Sequence, residues 1–252
     1  MYGRKINLLS LPPEELERVL ATHFDERGQP SYRVRQTCHW IFDESVTSIG
    51  DMTNLPLRER EALASAFILE DPIAQTVSRS SDGTVKHLWK LSDGELVESV
   101  LIPGSGRLTL CISSQAGCAM GCTFCGTGWA GFRRNLTAGE IVSQYRASLR
   151  WTRDNGYGRI SNVVYMGMGE PLANYNAVTQ AIRILNAPWG FGIGARRITV
   201  STVGLPSAIE RLPRAHPAHP SSRRASGPGW HRRLRSAAVG FRHSPSAHPS
   251  SV

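Results

Sequence analysis

The 252-residue sequence has no apolar run approaching the roughly 18 residues that a membrane-spanning helix requires. Its opening stretch, MYGRKINLLSLPPEELERVL, turns charged before a signal-peptide core could form. Neither a bilayer span nor a secretory route is predicted, and the cytoplasm is the expected location. Thiols stay reduced there, so clustered cysteines read as metal ligands or catalysts before they read as disulfides. Lysine is scarce as well, with only three among the 29 basic residues. Acids are missing altogether from residues 213 to 252, whose seven arginines supply +7 of the formal +9 charge. The first 212 residues then carry only about +2, so net charge is no argument for nucleic acid there. The local pairs Arg133 with Arg134 and Arg196 with Arg197 are candidate phosphate contacts, or else ordinary solvated charges.

What is present divides the chain into four stretches. Residues 1–75 read as a small helical accessory domain. PPEELERVLATHF has prolines at its start, acids in its first turn and Leu16, Val19 and Leu20 at helical spacing. YRVRQTCHWIF predicts a second helix, with Ser31 as its cap and Cys38 as a buried helix cysteine. LPLREREALASAFIL predicts a third. Residues 76–107 read as antiparallel strands, because Asp82-Gly83 and Asp93-Gly94 flank TVKHLWKL as tight-turn signals. From 108 to 212 the rhythm is strand, loop, helix, three times over. LTLCIS, SNVVYMG and RRITVST are the strands. Thr137 and Glu140 form a predicted capping box for the first helix, and NAVTQAIRILN and PSAIERL follow. Successive βα units predict an α/β fold with a parallel sheet, either barrel or doubly wound, with chemistry at the strand C-termini. Residues 213–252, rich in Ser, Arg, Pro and His, have too little apolar surface to offset ordering entropy and read as disordered. The His-rich character admits a metal- or RNA-binding tail. The composition also matches out-of-frame translation of a GC-rich gene, the preferred reading.

Four of the five cysteines fall in CISSQAGCAMGCTFC. Cys118, Cys122 and Cys125 share one loop at the end of a strand, with three and then two residues between them. Three thiolates so close together can hold three irons of a cubane cluster and leave the fourth open. Cys111, on the preceding strand, either completes a zinc or iron site or has a separate role.

The CxxxCxxC spacing, with Phe124 before its last cysteine, resembles the radical S-adenosylmethionine (SAM) superfamily. The longer stretches CISSQAGCAMGCTFCGTGWAGFRRNLTAGEIVSQ, VYMGMGEPLANY and ITVSTVGL resemble the RlmN/Cfr family of RNA methyltransferases, the RlmN branch in particular. The resemblance runs through about Leu212 and implies a partial radical SAM (β/α) barrel preceded by the accessory domain. It implies methylation of adenine carbon 2 in 23S rRNA and in the anticodon loop of tRNA, by a monomer served by an electron donor such as flavodoxin. Cys118, Cys122 and Cys125 are implied as ligands of a [4Fe-4S] cluster, and Gly169, Glu170 and Ser201 as SAM contacts. Glycine permits close backbone approach, and a carboxylate and a hydroxyl suit SAM's polar atoms. Glu98 is implied as a proton acceptor, although read alone it is an ordinary strand carboxylate. Cys111 is implied as the cysteine that resolves a covalent RNA intermediate by forming a disulfide with a methyl-carrying cysteine nearer the C-terminus.

No cysteine follows Cys125, and the family's Ser-Leu-His segment is missing. The expectation is an RlmN-type chain, truncated or frameshifted after about Leu212, that does not turn over by itself. The rival from another class is a non-catalytic zinc- or cluster-binding RNA-interaction fragment, with zinc on Cys111, Cys118, Cys122 and Cys125. A radical SAM enzyme with another substrate fits the placement of Cys111 and Glu98 less well.

Overall fold

The computed structural model describes residues 5–211; the expected disordered tail at 213–252 lies outside them. In chain order the elements are β1 (Ile6–Asn7), α1 (Pro13–Asp25), α2 (Tyr32–Phe42), α3 (Leu57–Ala66), β2 (Phe67–Ile68), β3 (Ile73–Arg79), β4 (Val85–Lys90), β5 (Leu96–Gly104), β6 (Arg107–Cys111), β7 (Gln115–Gly117), α4 (Gly126–Trp129), β8 (Phe132–Asn135), α5 (Ala138–Asp154), β9 (Asn162–Tyr165), α6 (Tyr175–Asn186), β10 (Ile198–Val200) and α7 (Pro206–Arg211). No helix among the described residues is long and apolar enough to cross a membrane.

The N-terminal helices form where capping and spacing favour them, with two departures. Ser31 does not cap α2: it already has helical angles, and its side chain makes no cap bond. The turn that starts α2 runs instead from the Pro30 carbonyl, which accepts the Arg33 N–H. The third helix stops at Ala66, and Phe67–Ile68 pair in parallel with Ile6–Asn7. The front module is therefore not purely helical, because β-favouring Phe67 and Ile68 find a partner strand 61 positions upstream.

One six-stranded sheet, in the order β10-β9-β6-β5-β4-β3, joins the antiparallel and parallel parts. β3 to β6 are an antiparallel meander, while β6, β9 and β10 are parallel. The two Asp-Gly pairs close the β3–β4 and β4–β5 turns, each with its glycine at positive φ. The antiparallel stretch is thus an extension of the core sheet, and the chain is an α/β protein with a partial barrel.

Alternation gives the sheet two unlike faces. Leu101, Leu110, Val163 and Ile198 are adjacent across β5, β6, β9 and β10 and are buried. α5 covers this face: its Ser148 hydroxyl lies 3.4 Å from that of Ser99, and its Trp151 ring meets His87 edge-on at 4.9 Å. The opposite face carries Glu98, Val100, Val164 and Thr199, all half-exposed.

The capping box of α5 is fully formed. Further along, three of its arginines hold the N-terminal module. Arg146, with no exposed surface, bonds Asp71 through Nε and Nη2, each at 3.0 Å, and donates to the carbonyls of Ile41 and Val46. Arg150 reaches Asp71 at 2.8 Å and the Ser45 carbonyl at 3.0 Å. Arg153 donates to the carbonyls of Asp43 and Glu44. The carbonyls left unpaired beyond the end of α2 are thereby satisfied by one helix of the core. The hydrophobic core accordingly runs unbroken from Leu8 to Ala208.

Candidate metal and cofactor site at the strand ends

The parallel strands β6, β9 and β10 send their C-terminal loops to one end of the sheet, and the sequence-derived metal, cofactor and catalytic candidates lie at that end, Glu98 of β5 being level with Ser113, whose hydroxyl donates to the Glu98 carbonyl at 2.6 Å. Cys111 is the last residue of β6. It faces Val100 of β5 and Val164 of β9, which puts it on the face opposite the helices. Burial pushes its thiol up, and a hydrogen bond from the Met166 backbone N–H partly offsets this. Glu98 lies two residues along β5 from Val100, on that same face, and pairs with Lys86 at 2.9 Å. Glu98 and Cys111 are therefore diagonal neighbours, roughly 7–8 Å apart by sheet geometry.

Cys118, Cys122 and Cys125 are half-buried in the loop after β7. The loop is folded by its own backbone: Cys118 N–H donates to Gly131 at 3.0 Å, Cys125 N–H to Cys122 at 3.1 Å, and Gly128 N–H to Cys125 at 3.1 Å. Hydrogen bonds from the Gly128 backbone, then from the Thr127 backbone and side chain, hold the Cys125 thiol below its usual range against the opposing effect of burial. That environment favours thiolate, the form that binds soft metals. Among the described residues no three His, Cys, Asp or Glu side chains converge on one point, so the three thiols share a loop without being gathered. The donor set fits an iron–sulfur cluster in chemistry: three thiols within eight residues, one already biased toward the charged form. A four-cysteine zinc site would need Cys111 as its fourth ligand, and no such convergence occurs among the described residues.

Gly169 and Glu170 have structural duties that the sequence did not disclose. Gly169 has φ +98°, and a Cβ there would lie 2.5 Å from Cβ of Gln115. The loop after β9 is laid directly on the segment entering the cysteine loop, and only glycine allows it. Glu170 is 2% exposed. Its carboxylate accepts from Leu172 N–H at 2.9 Å, from the Thr202 hydroxyl at 2.8 Å and from Val203 N–H at 2.9 Å. Its own N–H donates to Gln115 Oε1 at 2.8 Å. One residue thus ties together the loops after β9 and β10 and the approach to the cysteines. Ser201, half-buried at the end of β10, has no hydrogen bond from its hydroxyl among the described residues.

Three buried amides escaped the sequence reading. Gln144 both accepts from Ser113 N–H and donates to its carbonyl, each at 3.0 Å. Asn174 donates to Ser114 and Leu136 carbonyls at 2.8 and 2.7 Å. Gln115 donates to Asn135 Oδ1 at 2.7 Å. The available signal was polar residues inside otherwise apolar helix and strand faces, which pins loop backbone when buried. Of the proposed phosphate contacts, Arg134 is not free: it bonds Asp93 at 2.6 Å and Glu140 at 2.7 and 2.9 Å.

Comparison with known proteins agrees with this architecture. Residues 6–69 match the family described as ribosomal RNA large subunit methyltransferase N-terminal domain, and residues 112–221 match the radical SAM superfamily. The chain is 46% identical over 214 residues to the dual-specificity RNA methyltransferase RlmN of Lawsonia intracellularis, covering 82% of this chain and 59% of that protein. It is 44% identical to the RlmN of Nitratidesulfovibrio vulgaris, again over 82% of this chain and 58% of the relative. A crystal structure of a radical SAM methyltransferase from Sphaerobacter thermophilus superposes with a TM-score of 0.76 at 43% identity, over 83% of this chain and 60% of that one. The chain spans somewhat under two thirds of the length of these relatives. With the N-terminal module, the CxxxCxxC loop and the β6–β9–β10 core all accounted for, the chain belongs to the RlmN/Cfr family of the radical SAM superfamily.

Proposed function

We propose that this site is that of an RlmN-type methyltransferase acting on carbon 2 of adenine in 23S rRNA and in the anticodon loop of tRNA. The setting is cytoplasmic, the chain is monomeric, and electrons come from a flavodoxin-class donor. The observation that carries this reading is the meeting of Glu98 and Cys111 on one uncovered face of the sheet, at the strand end from which the three-cysteine loop springs.

Cys118, Cys122 and Cys125 would hold the [4Fe-4S] cluster, and the loops of Gly169, Glu170 and Ser201 would carry SAM beside it. When bound, the cluster supplies the electron that splits SAM. The protein's own residues have separate tasks. Cys111, buried and kept as a thiol, is protected from adventitious oxidation until a base removes its proton. The Lys86 ion pair fixes Glu98, leaving its carboxylate near enough to receive a proton from a group between it and Cys111. Glu170 acts by bracing the loops, since its carboxylate is occupied by three protein donors.

The 252 residues hold no cysteine beyond Cys125, so Cys111 has no later partner thiol in this chain. We propose that it binds cluster and SAM without completing methyl transfer. Anaerobic reconstitution with iron and sulfide, then incubation with SAM, reductant and ribosomal RNA, tests this by mass spectrometry of the digested RNA. Unmodified adenine is expected; methyladenine from this chain alone would overturn the inactivity.

A further inference from the structure

We infer that Trp129, Phe132 and Arg133 form a stacking platform for an unpaired RNA base, beside the cysteine loop. The inference rests on the RNA reading above and extends it to the exposed rings of Trp129 and Phe132 and the neighbouring Arg133.

Trp129 is 81% exposed and Phe132 is 45% exposed, within seven residues of Cys125. A tryptophan so uncovered adds nothing to the core, and α4, which carries it, buries no residue at all. The exposure of Phe132 is built into the backbone. β7 and β8 pair antiparallel, and Phe132 sits opposite Gly117, which offers no side chain to cover the ring. Gly117 cannot be enlarged: its φ is +74°, and a Cβ would lie 1.9 Å from the Gly131 carbonyl oxygen. The register then shifts between Ala116 and Gly117, leaving Arg133 as the unopposed residue of a bulge. Bulges of this kind re-aim side chains next to functional sites.

Charge separates the two neighbouring arginines. Arg134, opposite Ala116, is committed to Asp93 and Glu140. Arg133 is exposed and has no ion pair among the described residues. No acid occurs from residue 99 to residue 139, so the surroundings of the cysteine loop offer a polyanion no local repulsion from that stretch. Exposed aromatic rings with an adjacent guanidinium are the chemistry by which proteins hold unstacked bases. A polypeptide partner finds less here. The edge strands β3 and β10 of the main sheet and its uncovered face offer backbone and side-chain pairing elsewhere, whereas this ribbon offers rings and a cation. Arg196 and Arg197 lie before β10, at the opposite end of the parallel strands, and do not share the platform.

The test uses the full chain, reconstituted with iron and sulfide, and a fluorophore-labelled RNA hairpin with an adenine-containing loop, read by anisotropy across a salt series. Trp129→Ala and Phe132→Ala are each expected to weaken binding by about 10-fold or more. Arg133→Ala is expected to lower the slope of log affinity against log salt by about 0.7. Arg196→Ala is expected to leave affinity unchanged, and all four variants to keep the parent's melting temperature. Wild-type affinity in Trp129→Ala and Phe132→Ala overturns the platform while leaving the RNA reading intact. A parent chain that binds no RNA at any salt overturns both. A dimer dissolved by Trp129→Ala, with RNA affinity unaffected, overturns the platform in favour of a self-association surface.

Discussion

Replacing Arg146 by Met keeps the stem's bulk and removes the guanidinium that joins α5 to the N-terminal module. Arg146 has no exposed surface, and Asp71 is only 10% exposed. The substitution strips two bonds from the Asp71 carboxylate and leaves the Ile41 and Val46 carbonyls without their donor. Breaking a buried ion pair from one side costs about 3–5 kcal/mol, and each orphaned buried carbonyl about 1–3 kcal/mol. These terms overlap, because the same relaxation serves all three acceptors. Asp71 also keeps Arg150 at 2.8 Å, which moderates the loss. A net cost of about 4 kcal/mol follows. For a domain of roughly this size each kcal/mol lowers the melting temperature by about 2–4 °C, so a fall of about 8–16 °C is expected. Arg146→Lys, which keeps the charge but not the planar fork, should lose about half as much. Circular dichroism melts of the two variants beside the parent are the assay. A Met variant melting within 2 °C of the parent would refute the view that Arg146 anchors the module.

Three other outcomes follow from the geometry. His87 is fully buried, stacked on Trp89 at 4.8 Å, with neither ring nitrogen hydrogen-bonded. Burial lowers its pKa to about 4. The unfolded chain, with an ordinary histidine, binds this proton first as pH falls, so stability is complete above about pH 6.5 and drops toward pH 4 by about 3 kcal/mol. Urea titrations at pH 7 and pH 4.5 should show that slope, and His87→Phe should flatten it. Gly169→Ala places a methyl 2.5 Å from Gln115 Cβ at a positive φ, costing about 3 kcal/mol or more; an unchanged urea midpoint would contradict the close approach. Finally, burial pushes the Cys38 thiol up to about 12 and raises that of Cys111. Brief alkylation of the native apoprotein at pH 7.5 followed by peptide mapping should label Cys118, Cys122 and Cys125 and spare Cys38 and Cys111.

Features set by neighbours in sequence were legible in advance. The Thr137–Glu140 box, the prolines that open α1 and the Asp-Gly turns each depend on residues within a few positions, and the burial of Cys38 followed from its residue type inside a helix. The βα rhythm likewise disclosed the parallel strands, and the length of the cysteine-loop resemblance disclosed the family. What stayed hidden depends on pairing across long separations. Arg146 looks like a solvated helix charge until Asp71, 75 residues away, meets it. Arg134 looks like a phosphate contact until Asp93 and Glu140 occupy it. Glu170 looks like a free carboxylate for a ligand, yet two of its three donors come from the loop more than 30 residues later. Ser31 fails as a cap because the chain enters α2 already helical, a backbone fact that residue type does not reveal. The union of the antiparallel strands with the parallel core was hidden likewise, since β6 has to pair on both sides at once.

On this reading Cys118, Cys122 and Cys125 hold a cluster with an iron open to SAM. The direct measurement is electron paramagnetic resonance of the anaerobically reconstituted, reduced chain, with and without SAM, alongside iron and sulfide analysis. About four irons and four sulfides per chain are expected, with a spectrum that changes when SAM is added and loss of the cluster in Cys122→Ser but not in Cys111→Ser. A colourless chain carrying one zinc, or a cluster lost with Cys111→Ser, would contradict it.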